Sequence, residues 1–182
     1  MNRSGVRLKM KAYMALSSKV GACDKVLEEI RKMNLCARAL NEREQNVFLL
    51  FGPVDILVQF SELKDLDEFV SKWFTPIRMI TPEEPLIEKT QTWITLSEGK
   101  PFSEEPYAFL FLNTQPRNLE QVQQALQTIP QVLSADVVFG PYDIICAVKA
   151  KDKAELQQVI TQIQKEVPNI QGTMTQIVAS SV

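Results

Sequence analysis

The hexapeptide Phe51, Gly52, Pro53, Val54, Asp55, Ile56 returns as Phe139, Gly140, Pro141, Tyr142, Asp143, Ile144, with five identities in six positions. A chain that repeats so specific a turn builds one unit twice. Proline presets φ for the second position of a tight turn, and glycine and aspartate tolerate the flanking geometry. Each copy stands between apolar runs, Val47 to Leu50 and Ile56 to Val58 in the first, Val137 to Val138 and Ile144 to Val148 in the second. Both read as β-hairpin tips.

The correspondence extends to either side. Upstream, Val26, Ile30 and Met33 pair with Val122, Leu126 and Ile129, and Ala12–Leu16 falls on Ala108–Leu112, both 96 positions apart (122 − 26 = 96). At the hairpin the separation drops to 88 (140 − 52 = 88), so the first copy carries an insertion between its first helix and second strand. Downstream, Asp65 to Glu68 and Asp152 to Glu155 are Asp-x-x-Glu capping boxes, each opening an apolar-periodic helix. Ile87, Thr90, Thr92 and Ile94 then match Ile170, Thr173, Thr175 and Ile177, an alternation that reads as a strand. Each unit is therefore βαββαβ, the ferredoxin-like pattern, and the fold class is α+β with two tandem ferredoxin-like units.

For the second copy the pattern predicts strands over Tyr107–Leu112, Val132–Phe139, Asp143–Lys149 and Gly172–Val178, with helices near Leu119–Thr128 and Lys153–Glu166. Pro130 and Pro168 sit where the helices must stop. The expected division is residues 1–96, a linker over 97–106 that is rich in turn formers, and residues 107–182. Helices cover one face of each four-stranded sheet, but strands such as Phe109–Leu112 are apolar on both faces. The uncovered face needs a second sheet, from the other unit or from another chain.

Composition narrows the function. The 182 residues are 45% hydrophobic, with a net charge of −2. Arg3, Arg7, Lys9 and Lys11 form a basic N-terminal cluster, read as a solvated tail, and neither unit has the net charge of a nucleic-acid reader. No apolar run reaches transmembrane length, so the expectation is a cytoplasmic protein with no membrane partner. Cys23, Cys36 and Cys146 lack both a close pair and a zinc spacing, and Cys146 reads as an ordinary core residue. Histidine is absent, which removes the commonest general base, metal ligand and haem ligand. No cofactor or metal is expected.

Val138 to Ile145, the Asp-initiated helix that follows, and Pro168 to Val178 together resemble the effector domain of the leucine-responsive/asparagine-regulator (Lrp/AsnC) family. Residues 107 to 178 match along their whole length and residues 11 to 96 more weakly, with Val54 in place of the tyrosine and insertions before the hairpin and after Trp73. The resemblance implies a dimeric α/β-barrel arrangement, higher oligomers, and amino acids or similar metabolites bound at interfaces near the hairpin. Family regulators carry an N-terminal helix-turn-helix. Only about ten residues precede the first strand here, too few for three helices of about 11 residues each, so the expectation is a stand-alone sensor without its own DNA arm.

Gly140, Pro141, Tyr142 and Asp143 have two readings, a plain tight turn or a site in which turn N–H groups and a carboxylate hold an amino acid while Tyr142 supplies an aromatic wall. Gly52, Val54 and Asp55 are the first-unit counterpart, without the hydroxyl. Thr90, Thr92, Thr173 and Thr175 read as strand residues, and as ligand contacts only through the family. Trp73 and Trp93 read as core or interface packing, and Glu83, Glu84 and Glu88 as solvated loop. The leading function is a non-enzymatic effector-binding protein that senses a small metabolite and acts through homo-oligomers or Lrp/AsnC-type regulators without contacting nucleic acid itself. The alternatives are a cofactor-free monooxygenase-like enzyme of the dimeric barrel class and a structural adaptor with vestigial pockets.

Overall fold

The computed structural model describes residues 10–33, 45–80, 83–101 and 104–181, apart from the side chains of Gln45 and Ser181. Arg3, Arg7, Lys9 and Cys36 lie outside the described residues. The first unit comprises β1 (Met10–Ser18), α1 (Cys23–Lys32), β2 (Gln45–Phe51), β3 (Ile56–Leu63), α2 (Leu66–Phe69), α3 (Thr75–Arg78) and β4 (Ile87–Ser97). The second comprises β5 (Ala108–Thr114), α4 (Leu119–Thr128), β6 (Val132–Phe139), β7 (Ile144–Val148), α5 (Lys153–Glu166) and β8 (Ile170–Ser181). Within the units the strand orders are β4-β1-β3-β2 and β8-β5-β7-β6, the same ferredoxin-like order twice.

The two sheets join at their edges. β2 pairs with β8 and β4 pairs with β6, both antiparallel, which closes the eight strands into one barrel within a single chain. This explains why β8 outruns the predicted Gly172–Val178: its last residues pair across the seam, Leu50 with Val178 and Phe48 with Ser181. Closure leaves none of the eight strands with a free edge, the standing hazard of an open sheet.

Strand alternation sorts the apolar side chains into three cores. Ala12, Met14 and Leu16 of β1 face Val26 and Ile30 of α1, and Leu110 and Leu112 of β5 face Val122 of α4 and Leu156 of α5. The opposite faces of all eight strands point into the barrel, where Tyr13, Phe48, Leu57, Trp93, Phe109 and Phe111 pack together. The face that each sheet leaves open is thus covered by the other sheet. Trp73 packs in the first helix-side core and Trp93 in the barrel.

Asp65 and Asp152 cap their helices by accepting the N–H of Glu68 and Glu155 at 2.9 Å, while each glutamate reaches back to the N–H preceding the cap. The second-unit helix then runs uninterrupted for 14 residues. The first-unit helix does not: α2 gives way to a wide π-type segment over Val70–Phe74 before α3. Pro76, in the first turn of α3, has no N–H and its ring crowds the preceding turn, which a widened turn relieves.

Two expectations are corrected. Lys11 is not part of a solvated tail; it is 6% exposed inside the barrel, ion-paired with the fully buried Asp136. Glu88 lies in β4 rather than in a loop, although its side chain is exposed like those of Glu83 and Glu84.

Candidate functional site

The two Gly-Pro turns are built alike. The Asp55 N–H donates to Leu16 O and the Asp143 N–H to Leu112 O, both at 3.0 Å, tying each turn to the central strand of its own unit. The carboxylates reinforce this tie. Asp55 Oδ2 accepts the Ser18 N–H at 2.6 Å and the Ser18 hydroxyl at 2.8 Å, whereas among the described residues Asp143 Oδ2 accepts only the Thr114 N–H, at 3.0 Å. Thr114 in turn donates its hydroxyl to Asn169 O at 2.8 Å, linking the second turn to the start of β8.

Each turn also reaches across to the other unit. A Cβ on Gly140 would collide with the Trp93 ring and stand 2.9 Å from Thr92 O; a Cβ on Gly52 would collide with Gln176. At Gly140 glycine is therefore set by the approach of hairpin to opposing strand, and at Gly52 by a φ of +154°. Pro141 is exposed. Val54 is buried and packs into the lumen, whereas Tyr142 is half-buried there against Phe111 and, among the described residues, its hydroxyl meets only Met174 Sδ, at 3.5 Å. The second hairpin thus keeps a polar group with a weak partner.

The four threonines face away from the lumen. Thr90 and Thr92 stand opposite Leu16 and Met14, and Thr173 and Thr175 opposite Leu112 and Leu110, on the helix-side faces. Thr173 is exposed and Thr175 half-buried. Thr173 and Asp143 flank the same residue, Leu112, on adjacent strands, which sets their backbones about 10 Å apart. Thr173 also lines a shallow groove of about 420 Å³ with Lys165, Asn169, Gln171 and Gly172.

A polar chain inside the barrel escapes the sequence reading. Lys11 and the Tyr13 hydroxyl both contact Asp136 Oδ2, while the Gly99 N–H at 2.7 Å and the Ser134 hydroxyl at 3.3 Å serve Oδ1. Gln59 Nε2 donates to Tyr13 Oη at 3.1 Å, and Asn46 Nδ2 donates to Gln59 Oε1 at 2.9 Å. Burial, and then the neighbouring Asp136 charge, hold the Tyr13 phenol well above its ordinary value, so it remains a donor. The one available signal is Asp136 itself, a lone acid between the apolar Ala135 and Val137.

Among the described residues no group of three or more His, Cys, Asp or Glu side chains is placed to hold a metal ion. No described helix is long and apolar enough to cross a membrane. Cys146 is buried in the second helix-side core, and burial pushes its thiol up.

Residues 107–182 match the family model described as the Lrp/AsnC ligand binding domain. An uncharacterized HTH-type transcriptional regulator of Pyrococcus horikoshii is 32% identical over 76 residues, which cover 42% of this chain and 48% of the regulator. The chain thus spans about half the length of the curated relatives it matches. The solved structure of FFRP-DM1 is 34% identical, covering 40% of this chain and 96% of that one, with a TM-score of 0.37. The siroheme decarboxylase NirDL shares the fold over 97% of this chain and 77% of its own, at a TM-score of 0.67 and 7% identity. Through its second unit the chain belongs to the Lrp/AsnC ligand-binding domain family.

Proposed function

We propose that this chain is an effector-binding module that senses a small metabolite, an amino acid, and passes its occupancy on through assembly with further copies or with Lrp/AsnC-type regulators. The observation that carries the reading is the family match of residues 107–182, the segment that also holds Tyr142, Asp143 and the groove at Thr173. In that groove the Lys165 ammonium suits a carboxylate, while the Thr173 hydroxyl and the amides of Asn169 and Gln171 suit an ammonium or a polar side chain. Asp143 lies behind Thr114 and Asn169 and acts by holding the groove wall in place. The first unit has a weaker claim, because Val54 replaces the tyrosine and Asp55 already accepts two hydrogen bonds. The module binds its ligand rather than converting it, and its net charge of −2 offers no general attraction to duplex DNA.

A thermal-shift screen against the twenty amino acids tests the reading, since a ligand that binds only the native state raises the melting temperature. At least one amino acid should stabilise the protein. Lys165→Met and Thr173→Val, both surface changes, should then weaken its binding by about tenfold each, at the level of one lost polar contact. If no amino acid shifts the melting temperature, the ligand assignment is wrong. If one does and neither substitution matters, the ligand lies elsewhere in the module.

A further inference from the structure

The two seams of the barrel occupy equivalent places under the repeat but hold opposite chemistry. The 96-position offset carries Lys11 and Tyr13 onto Tyr107 and Phe109, and the 88-position offset carries Phe48 and Gln59 onto Asp136 and Ala147. At one seam Tyr13 and Lys11 of the first unit meet Asp136 of the second. At the other, Phe109 of the second unit meets Phe48 of the first, ring centroids 4.9 Å apart and edge to face. We propose that this asymmetry is a pairing code: the inner face of each unit fits the other unit and rejects a copy of itself.

A barrel of two first units would set Tyr13 and Lys11 against Phe48 at both seams, leaving two buried ammonium groups without a carboxylate. A barrel of two second units would set Asp136 against Phe109 at both seams, and of its donors among the described residues only Ser134 lies on the same unit. The backbone does not make this choice, since both seams are antiparallel ladders of the same kind. The discrimination lies in the buried side chains, where removing one partner of a charge pair is far more damaging than replacing both. Partners beyond this chain are accordingly confined to the outside of the barrel.

The test keeps both units present. A protease site introduced between Lys100 and Pro106 allows the folded protein to be cut, after which the two pieces are unfolded together, refolded together and counted by native mass spectrometry. Pairing without preference gives homotypic and mixed barrels in a 1:2:1 ratio. The code predicts mixed barrels only, with each homotypic species depleted at least about a hundredfold, the factor that follows from stranding a buried charge. In the same experiment Lys11→Tyr/Tyr13→Phe/Asp136→Phe, which writes the second seam onto the first, should restore homotypic barrels. Lys11→Met/Asp136→Asn, a milder pair of similar volume, should restore them in part and serves if the triple variant does not fold. Homotypic barrels from the unsubstituted pieces would overturn the proposal. So would mixed barrels alone from a folded variant, since the preference would then reside elsewhere.

Discussion

Tyr13, Lys11 and Asp136 fill one seam of the barrel, and at the other Phe109 and Phe48 take the positions equivalent to Tyr13 and Asp136. The comparison separates two ways of closing the same interface. The aromatic seam gains from buried area and ring geometry, and both decline gradually as a side chain is trimmed. The polar seam works only as a complete set, because in a medium of low dielectric each group is stabilising when paired and costly when its partner is removed. Equal burial therefore gives unequal tolerance.

The largest loss is expected when the acid is removed. Asp136→Ala should destabilise the chain by about 3–5 kcal/mol, since it strands both Lys11 and Tyr13. Denaturant unfolding measures it, and a loss below about 2 kcal/mol would mean that water or relaxation rescues the pair.

Alkaline titration next separates the polar seam from the helix-side core. Tyr13 and Cys146 both have folded values raised above their ordinary ones, chiefly by burial. Each contributes stability that is complete below its unfolded value, about 8.5 for a thiol and about 10 for a phenol, and that is lost as pH rises beyond it. Stability should thus begin to fall near pH 9 and steepen above pH 10, where each such group adds up to about 1.4 kcal/mol per pH unit. Tyr13→Phe should remove the steeper part and leave the earlier one. An unchanged profile in that variant would show that the phenol ionises freely in the folded barrel.

On the aromatic side, Phe109→Leu should cost only about 1–2 kcal/mol, a volume loss without a stranded partner. A cost matching that of Asp136→Ala would erase the distinction drawn between the seams. The smallest effect belongs to the hairpins. Asp55→Ala removes two hydrogen bonds and Asp143→Ala one, so their costs should stand near 2 and 1 kcal/mol respectively. Thermal melts of both variants check the order. In ligand binding the order should reverse, with Asp143→Ala the more damaging.

Much of the fold was legible in the sequence because local signals agreed. The two Gly-Pro-x-Asp turns, the Asp-x-x-Glu caps and the apolar periods of α4 and α5 all pointed to one element order. What the sequence did not reveal depended on contacts between units. The added length of β8 comes from pairing with β2, and nothing in Ala179 or Ser180 announces it. Lys11 resembled its basic neighbours until Asp136, 125 residues away (136 − 11 = 125), came to face it. The turn residues were found by pattern. Their contact with Trp93 and Gln176 across the interface was not, because it belongs to the closed barrel alone.

Closure within one chain has a consequence for dilution. A barrel assembled from two separate half-barrels is a bimolecular equilibrium, so it loosens as the protein becomes scarce and its melting temperature tracks concentration. Here the second half is tethered at an effective concentration on the order of millimolar, whatever the number of molecules in solution. A barrel built this way keeps its shape at vanishing abundance, and its melting temperature should stay the same as the protein is diluted.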